Sequence, residues 1–246
     1  MIHVLFSPSE GKRPGGAGTP LNDGAVLFGL RMRRLILDAY NAIAAGGDEA
    51  AAMALFGLRK PADAAAYRHD IFTAPTMPAA ERYDGVAYDH LDIGTLDADA
   101  RRWLDEHLLI FSNLFGIVRG GDLIPAYKVK QGNRIGTFVP EHFYRERLTE
   151  PLNDLLGQTE ILDLRAGYYD RFYRPSHPVT AMKFVKDGRV VSHWAKAYRG
   201  IVLRHLARHR FETVDALLAS EIKNLRIREI LQKGKKREVV YDILPE

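Results

Sequence analysis

The 246-residue sequence predicts a mixed α/β (α+β) fold in a single compact domain, 1–246, with a central sheet and surrounding helices. Three observations point there. Apolar runs of strand length are interspersed with segments of helical period, without the regular strand-helix-strand repetition of a doubly wound sheet. An apolar share of 46%, with 10% aromatic residues, is ample for a sizeable core. No linker composition and no internal repeat divides the chain.

Ile2 to Phe6 (IHVLF) reads as a buried strand that stops at Ser7-Pro8. Residues 11–23, GKRPGGAGTPLND, are too rich in Gly and Pro for regular structure, and long loops of this kind are commonly functional or mobile. The loop lacks GxxxxGK[ST], so a nucleotide P-loop is not expected. Val26 to Ala45 reads as an amphipathic helix and Asp48 to Phe56 as a second, ending at Gly57. Pro61 then suits the start of a third. Helix, Gly57-Leu58-Arg59 turn, helix is the outline of a helix-hairpin-helix, with Arg59 where that motif carries its second glycine; an αα-corner capped by Gly57 accounts for the same residues. Tyr83 to Leu91 suggests a strand or tight loop. Asp97 suits the N-cap of a helix reaching Leu114, after which the polar turn around Gly116–Asp122 leads to a strand at Ala126–Lys130. Glu141 to Leu156 is helical in pattern, and ILDL at 161–164 is a short strand. TAMKFVK, the Asp187-Gly188 turn and RVVSHWA outline a hairpin. Helices at 198–209 and 213–219 and a strand led by KGKKRE close the chain.

The net charge of +4 conceals an asymmetry, −3 over residues 1–182 and +7 over 183–246. A basic segment of this kind attracts polyanions, or else forms a solvated helix face. The absence of cysteine excludes disulfides, thiolate metal sites, Cys nucleophiles and thiol-based peroxide chemistry. No run approaches the roughly 18 apolar residues of a membrane helix, and MIHVLFSPSEG lacks a basic segment followed by a long apolar one. The expectation is a cytoplasmic protein with no membrane partner.

Three strings fall in a telling order: LFSPSEGK (Leu5–Lys12), LIFSNLFGIVRGGDLIPAYKVK (Leu109–Lys130) and SHWAKAYRG (Ser192–Gly200), with YDGVAYDHLD (Tyr83–Asp92) between the first two. Together they resemble the YaaA family of bacterial peroxide-stress proteins, whose members carry SPAK, SGLYGVLRP.D..PYRLEM and YAKKARG. The resemblance spans nearly the whole chain. It implies a cytosolic role in oxidative stress, a compact mixed fold with a basic cleft and a helix-hairpin-helix element, and association with DNA. It implies no particular reaction and no cofactor. The family's N-L-A-S run is DLRA here, with Asp163 for Asn and Ala166 for Ser, so a hydroxyl is missing at that position.

The candidate phosphate- and nucleic-acid-binding residues are Ser7, Lys12, Gly57, Arg59, Lys60, Arg119, Lys128, Tyr169, Lys196 and Arg199. Short buried strands bring their C-terminal ends to a common edge, which would gather Ser7 and the region after Leu164 into one cleft. Lys196 and Arg199, three apart, would share a helical face, where they either hold one phosphate together or stand as a pair of surface cations. Arg119 and Asp122 share that spacing and could instead clip to each other. Lys12 could hold a phosphate or, if desolvated, act as an activated base, but among glycines it is expected to be solvated. From 165 to 174, Tyr168, Tyr169, Phe172 and Tyr173 interleave with Arg165, Arg171 and Arg174, a composition that suits base stacking and phosphate contact, although half-core, half-surface packing is the reading that the residues favour. His205 and His209 have i, i+4 spacing but no accompanying glutamate or third ligand, so no metal is expected. These residues suggest binding of duplex or structured DNA through phosphate contacts; the alternative is an enzyme acting on a nucleotide, nucleobase or other small phosphorylated substrate in the same cleft.

Overall fold

The computed structural model describes residues 1–186, 188–190 and 192–245. Along the chain, β1 (Ile2–Phe6) and the short β2 (Gly11–Lys12) precede helices α1 (Arg34–Ala44), α2 (Glu49–Phe56) and α3 (Pro61–Ala64). Then come β3 (Thr76–Pro78), α4 (Ala79–Arg82), β4 (Tyr83–Asp84), α5 (Val86–Leu91) and α6 (Ala98–His107). Strands β5 (Leu108–Ser112), β6 (Gly116–Arg119) and β7 (Leu123–Pro125) lead into α7 (Pro140–Leu156), β8 (Glu160–Asp163) and β9 (Val179–Lys186). The rest is β10 (Arg189–Val190), α8 (Ser192–His209), α9 (Val214–Ala219), β11 (Leu225–Lys233) and β12 (Lys236–Ile243).

The main sheet has the order β11-β12-β9-β8-β1-β5-β6, with β10 on β9. Neighbours from β12 to β5 are parallel, while β6 and β11 close the two edges antiparallel. Every residue of β1 and β5 is buried, as a parallel sheet covered on both faces requires. Because β1, β5 and β8 run the same way, the chain leaves all three at one edge, at Ser7, Asn113 and Leu164.

Several elements differ from the sequence reading for physical reasons. The expected 97–114 helix stops at His107, where LLIFS becomes the buried strand β5; a five-residue apolar run carries no period that separates strand from helix. Helix α1 begins at Arg34 rather than Val26. Phe28 and Gly29 stand at φ 64° and 70°, which breaks the helix, and the N–H groups of Leu27 and Leu30 donate to Asp122 Oδ2 (2.6 Å) and Asp23 Oδ1 (3.0 Å). Residues 86–91 form α5 rather than extended chain, and the strand of the central motif is β7, paired with β3, in place of 126–130. Of RVVSHWA, Arg189–Val190 pairs with β9 and α8 opens at Ser192; Asp187 of the expected turn and Val191 lie outside the described residues. Strand β11, unforeseen, makes a hairpin with β12.

The 11–23 loop is pinned rather than free. β2 pairs with β4, Gly18 bridges Thr76, and the buried Arg82 guanidinium donates to the carbonyls of Arg13 (2.6 Å), Pro75 (3.3 Å) and Ile124 (3.2 Å).

Candidate functional site

The C-terminal edge of β1 and β8 opens into a cleft of about 450 Å³ whose polar lining includes Ser7, Ser9, Glu10, Tyr169, Lys196 and Arg199. Ser7 follows β1 directly. Its Oγ accepts the Ala166 N–H at 2.8 Å and its carbonyl accepts the Tyr88 hydroxyl at 2.9 Å, so it ties β8's exit to α5 and keeps its own O–H to donate. Lys196 and Arg199 come from the first two turns of α8. Gly200 lets α8 cross α5 closely, since a Cβ there would lie 2.0 Å from the Ala87 carbonyl oxygen. That crossing sets Arg199 in the cleft wall. Arg199 Nε is buried without a hydrogen-bond partner; burial lowers its pKa, against the attraction of Asp163. Tyr169 is buried in a 3-10 turn, Gly167–Arg171, and burial, then the neighbouring Tyr83 and Tyr168, raise its phenol pKa, so it stays a donor. Its hydroxyl bonds to Asn113, whose Oδ1 is buried and unpartnered.

Lys12 corrects the sequence reading most sharply. It is buried, and Nζ donates to the carbonyls of Ser9 (3.1 Å) and Glu10 (3.4 Å). The nitrogen lies 4.1 Å from the Tyr127 ring centre and 5.3 Å from that of Tyr83. Burial first, then the Lys128 charge, push its pKa down to about 7, while Glu10 pulls the other way. Gly11, one of the glycines that suggested a wet loop, instead lets β2 lie against β4, since a Cβ there would stand 2.8 Å from the Asp84 carbonyl oxygen. Behind them the hydroxyls of Ser112, Tyr127 and Tyr83 form a chain with steps of 2.7 and 2.8 Å. A second cavity of about 380 Å³ reaches Lys12 and is lined also by Tyr67, His69, Asp70 and Thr73.

Other expected residues lie elsewhere. Since β6 runs antiparallel to β5, Gly116 opposes Ser112 and Arg119 opposes Leu109, which puts Arg119 at the sheet edge away from Ser7. The clip is what forms there: Asp122 Oδ2 accepts the Arg119 N–H at 2.9 Å and Arg119 Nε stands 3.9 Å from Asp122 Oδ1. Gly57, left-handed at φ 68°, ends α2, but the next helix is the single turn α3; Gly57, Arg59 and Lys60 are exposed. Lys128 Nζ lies 3.4 Å from the Glu10 carbonyl, beside Lys12. The 165–174 stretch is half core and half surface, with Arg171 and Arg174 exposed and Tyr168 half-buried. Tyr169, Phe172 and Tyr173 are buried, and the Arg165 guanidinium donates to Asp163 Oδ1 (2.9 Å) and Oδ2 (2.8 Å) and to the carbonyls of Tyr169 and Tyr173. Burial works against the Asp163 carboxylate, yet the Arg165 charge and hydrogen bonds outweigh it and hold its pKa below the ordinary value. The basic excess of 183–246 is spread out and partly neutralised, with Arg204 beside Asp92, Arg210 beside Asp97, Arg226 and Arg228 beside Asp242, and Arg237 beside Asp215. His205 Nε2 is engaged by Ser220 Oγ at 2.9 Å.

Sequence reasoning missed Asn113 and the Ser112-Tyr127-Tyr83 chain. The one signal for them was the polar Ser112-Asn113 pair interrupting an apolar run.

A family model described as peroxide stress protein YaaA matches residues 2–231. The chain is 42% identical over 245 residues to an uncharacterized protein of Campylobacter jejuni, covering 99% of this chain and 100% of that relative. It is 35% identical over 212 residues to a UPF0246 protein of Streptomyces coelicolor, 82% of each chain. With a UPF0246 protein of Corynebacterium efficiens it shares 34% over 223 residues, 87% of this chain and 88% of the relative. No helix among the described residues is long and apolar enough to cross a membrane.

Proposed function

The chain belongs to the peroxide stress protein YaaA family, and from that premise we propose that residues 1–246 act as one cytoplasmic DNA-binding unit in the peroxide response, holding duplex or structured DNA by its phosphates. The observation that carries this reading is the meeting of Lys196, Arg199 and Ser7 around one cleft, with the buried Arg199 Nε–H lacking an acceptor. A phosphate supplies acceptor oxygens and negative charge together, and charge-assisted bonds of this kind are about twice as strong as neutral ones. The Ser7 hydroxyl and Tyr169 phenol add neutral donors. Lys128, Arg59 and Lys60 contribute sequence-blind attraction to the backbone.

Fluorescence anisotropy of labelled duplex, bubbled and junction DNA at several salt concentrations tests this reading. Log affinity should fall linearly with log salt, and Lys196→Ala should weaken binding uniformly and lower the slope by about 1. Absence of binding at low salt would sink it. A second reading, an enzyme on a nucleotide or another small phosphorylated substrate, is favoured by the modest cleft volume of about 450 Å³. It expects free nucleotides to compete with DNA at low concentration.

A further inference from the structure

Among the described residues Lys12 is the one buried lysine, and binding phosphates gives no reason to bury it. A surface ammonium serves that purpose better, because desolvation weakens the charge it offers. Its surroundings are those of an amine rather than an ammonium. Nζ donates to two backbone carbonyls, of Ser9 and Glu10, rather than to a carboxylate. A neutral amine has two N–H donors and one lone pair, so two carbonyl acceptors satisfy its donors and leave the lone pair over. The positive charge of Lys128, with Arg82 further off, also disfavours the protonated form.

The cavity that reaches Lys12 carries the groups an amine nucleophile needs. Its walls are largely apolar, from Pro14, Ala66, Ala74 and Pro75, with Tyr67, His69, Asp70 and Thr73 as polar members beside Lys12. His69 Nε2 lies 3.0 Å from the Ala126 carbonyl oxygen, which can only accept, so Nε2 carries the proton and Nδ1 holds the lone pair when the ring is neutral. One Asp70 oxygen, Oδ1, accepts the Phe72 N–H at 2.8 Å and fixes the carboxylate.

We propose that Lys12 is a carbonyl-reactive nucleophile that forms a Schiff base with an aldehyde seated in this 380 Å³ cavity. The Nζ lone pair attacks the carbonyl carbon, a C–N bond forms and the C=O π pair moves to oxygen, which takes a proton. The nitrogen loses a proton to His69 or Asp70, which hands it back to the hydroxyl as the C–O bond breaks. The oxygen leaves as water while the nitrogen lone pair forms C=N, giving the protonated imine with one proton taken up from solvent overall and no oxidant or reductant consumed. Two sources supply such a group: a small phosphorylated aldehyde, or the ring-opened sugar of an abasic site in DNA. The neighbouring Lys128 suits the phosphate that both carry.

The test incubates the full chain with D-glyceraldehyde 3-phosphate or with a duplex containing one abasic site, each with cyanoborohydride, and maps the reduced adducts by peptide mass spectrometry. The expected result is an adduct on Lys12 ahead of the exposed Lys60, Lys130 and Lys196, with a yield that rises through about pH 7 and then levels. Trapping by the small aldehyde alone assigns a metabolite source and trapping by the abasic duplex alone a DNA source; either sustains the proposal. Adducts spread over the exposed lysines, or none at all, overturn it. The map is made on the wild-type chain, so it does not depend on a variant folding. Intact-duplex anisotropy on the same preparation separates the two ideas, since DNA that binds without any Lys12 adduct keeps the binding reading and removes this one.

Discussion

Lys12 Nζ lies 4.1 Å from the centre of the Tyr127 ring, over its face. Burial, with Lys128 nearby, lowers its pKa to about 7 from 10.5. The folded value is below the unfolded one, so between the two the unfolded chain binds a proton that the folded chain lacks, and stability rises with pH across that window. Below about pH 7 the charged lysine costs the fold about 5 kcal/mol. Lys12→Met carries no such cost. In urea unfolding, the midpoint of the variant relative to wild type should be highest near pH 6 and fall steadily toward pH 10. A gap that stays constant over that range would mean that Lys12 keeps its ordinary pKa.

His3 acts in the same direction at the acid end of the pH profile. Its ring is buried between Thr159, whose Oγ1 is 3.2 Å from Nδ1, and His107. Burial first, then His107, Arg119 and the chain's amino terminus, lower its pKa from 6.5 to about 4. The unfolded chain therefore takes up a proton first on acidification, and stability is lost as pH falls from about 6.5 to about 4, by about 3 kcal/mol in all. His3→Gln should flatten that part of the profile. An NMR titration that found the His3 midpoint above 6 would contradict the assignment.

Arg33 is fully buried and donates to three backbone carbonyls, Gly29 (2.6 Å), Phe115 (2.7 Å) and Ile117 (2.6 Å). It thereby fastens the irregular 26–33 segment to β6. Arg33→Met leaves those acceptors buried and unpaired, and should cost about 3–5 kcal/mol in urea unfolding. Arg33→Lys should recover only part of this, because a single ammonium cannot span the fork that a guanidinium fills. Full recovery by lysine would show that charge, not geometry, is what the site requires.

These residues mark where the sequence was readable. IHVLF and ILDL are short apolar runs followed by polar residues, so β1 and β8 were legible, and the convergence of Ser7 with the chain after Leu164 followed from their parallel pairing. LLIFS was not, because five apolar residues after a capped helix carry no period that tells strand from further helix. The burial of Lys12 was invisible because Tyr83 and Tyr127, which cover it, lie far along the chain, and the glycines around it signal a loop whether or not that loop is covered. The Arg165 guanidinium misled in the other direction. Its place in an aromatic-basic stretch suits nucleic acid, whereas its fork is filled by Asp163 two residues earlier.

Gly200 links the packing to the cleft. A methyl group at this position would stand 2.0 Å from the Ala87 carbonyl oxygen and 3.0 Å from His90 Cβ. The first obstacle is backbone, so it cannot rotate away, and α8 must draw back from α5. Arg199 adjoins Gly200 and Ala87 lines the cleft, so this retreat moves one wall against the other. Gly200→Ala should therefore destabilise the fold by about 3 kcal/mol and, if the proposed DNA binding in this cleft holds, weaken it beyond what the unfolded fraction explains. Gly94→Ala is the matched control, because a Cβ there meets nothing within 4 Å; it should change stability by no more than about 0.5 kcal/mol. Thermal unfolding and anisotropy on both variants read the two effects separately. A Gly200→Ala chain that unfolds late but binds poorly places the defect in the cleft wall, and one that matches wild type in both removes the close crossing as the feature that positions Arg199.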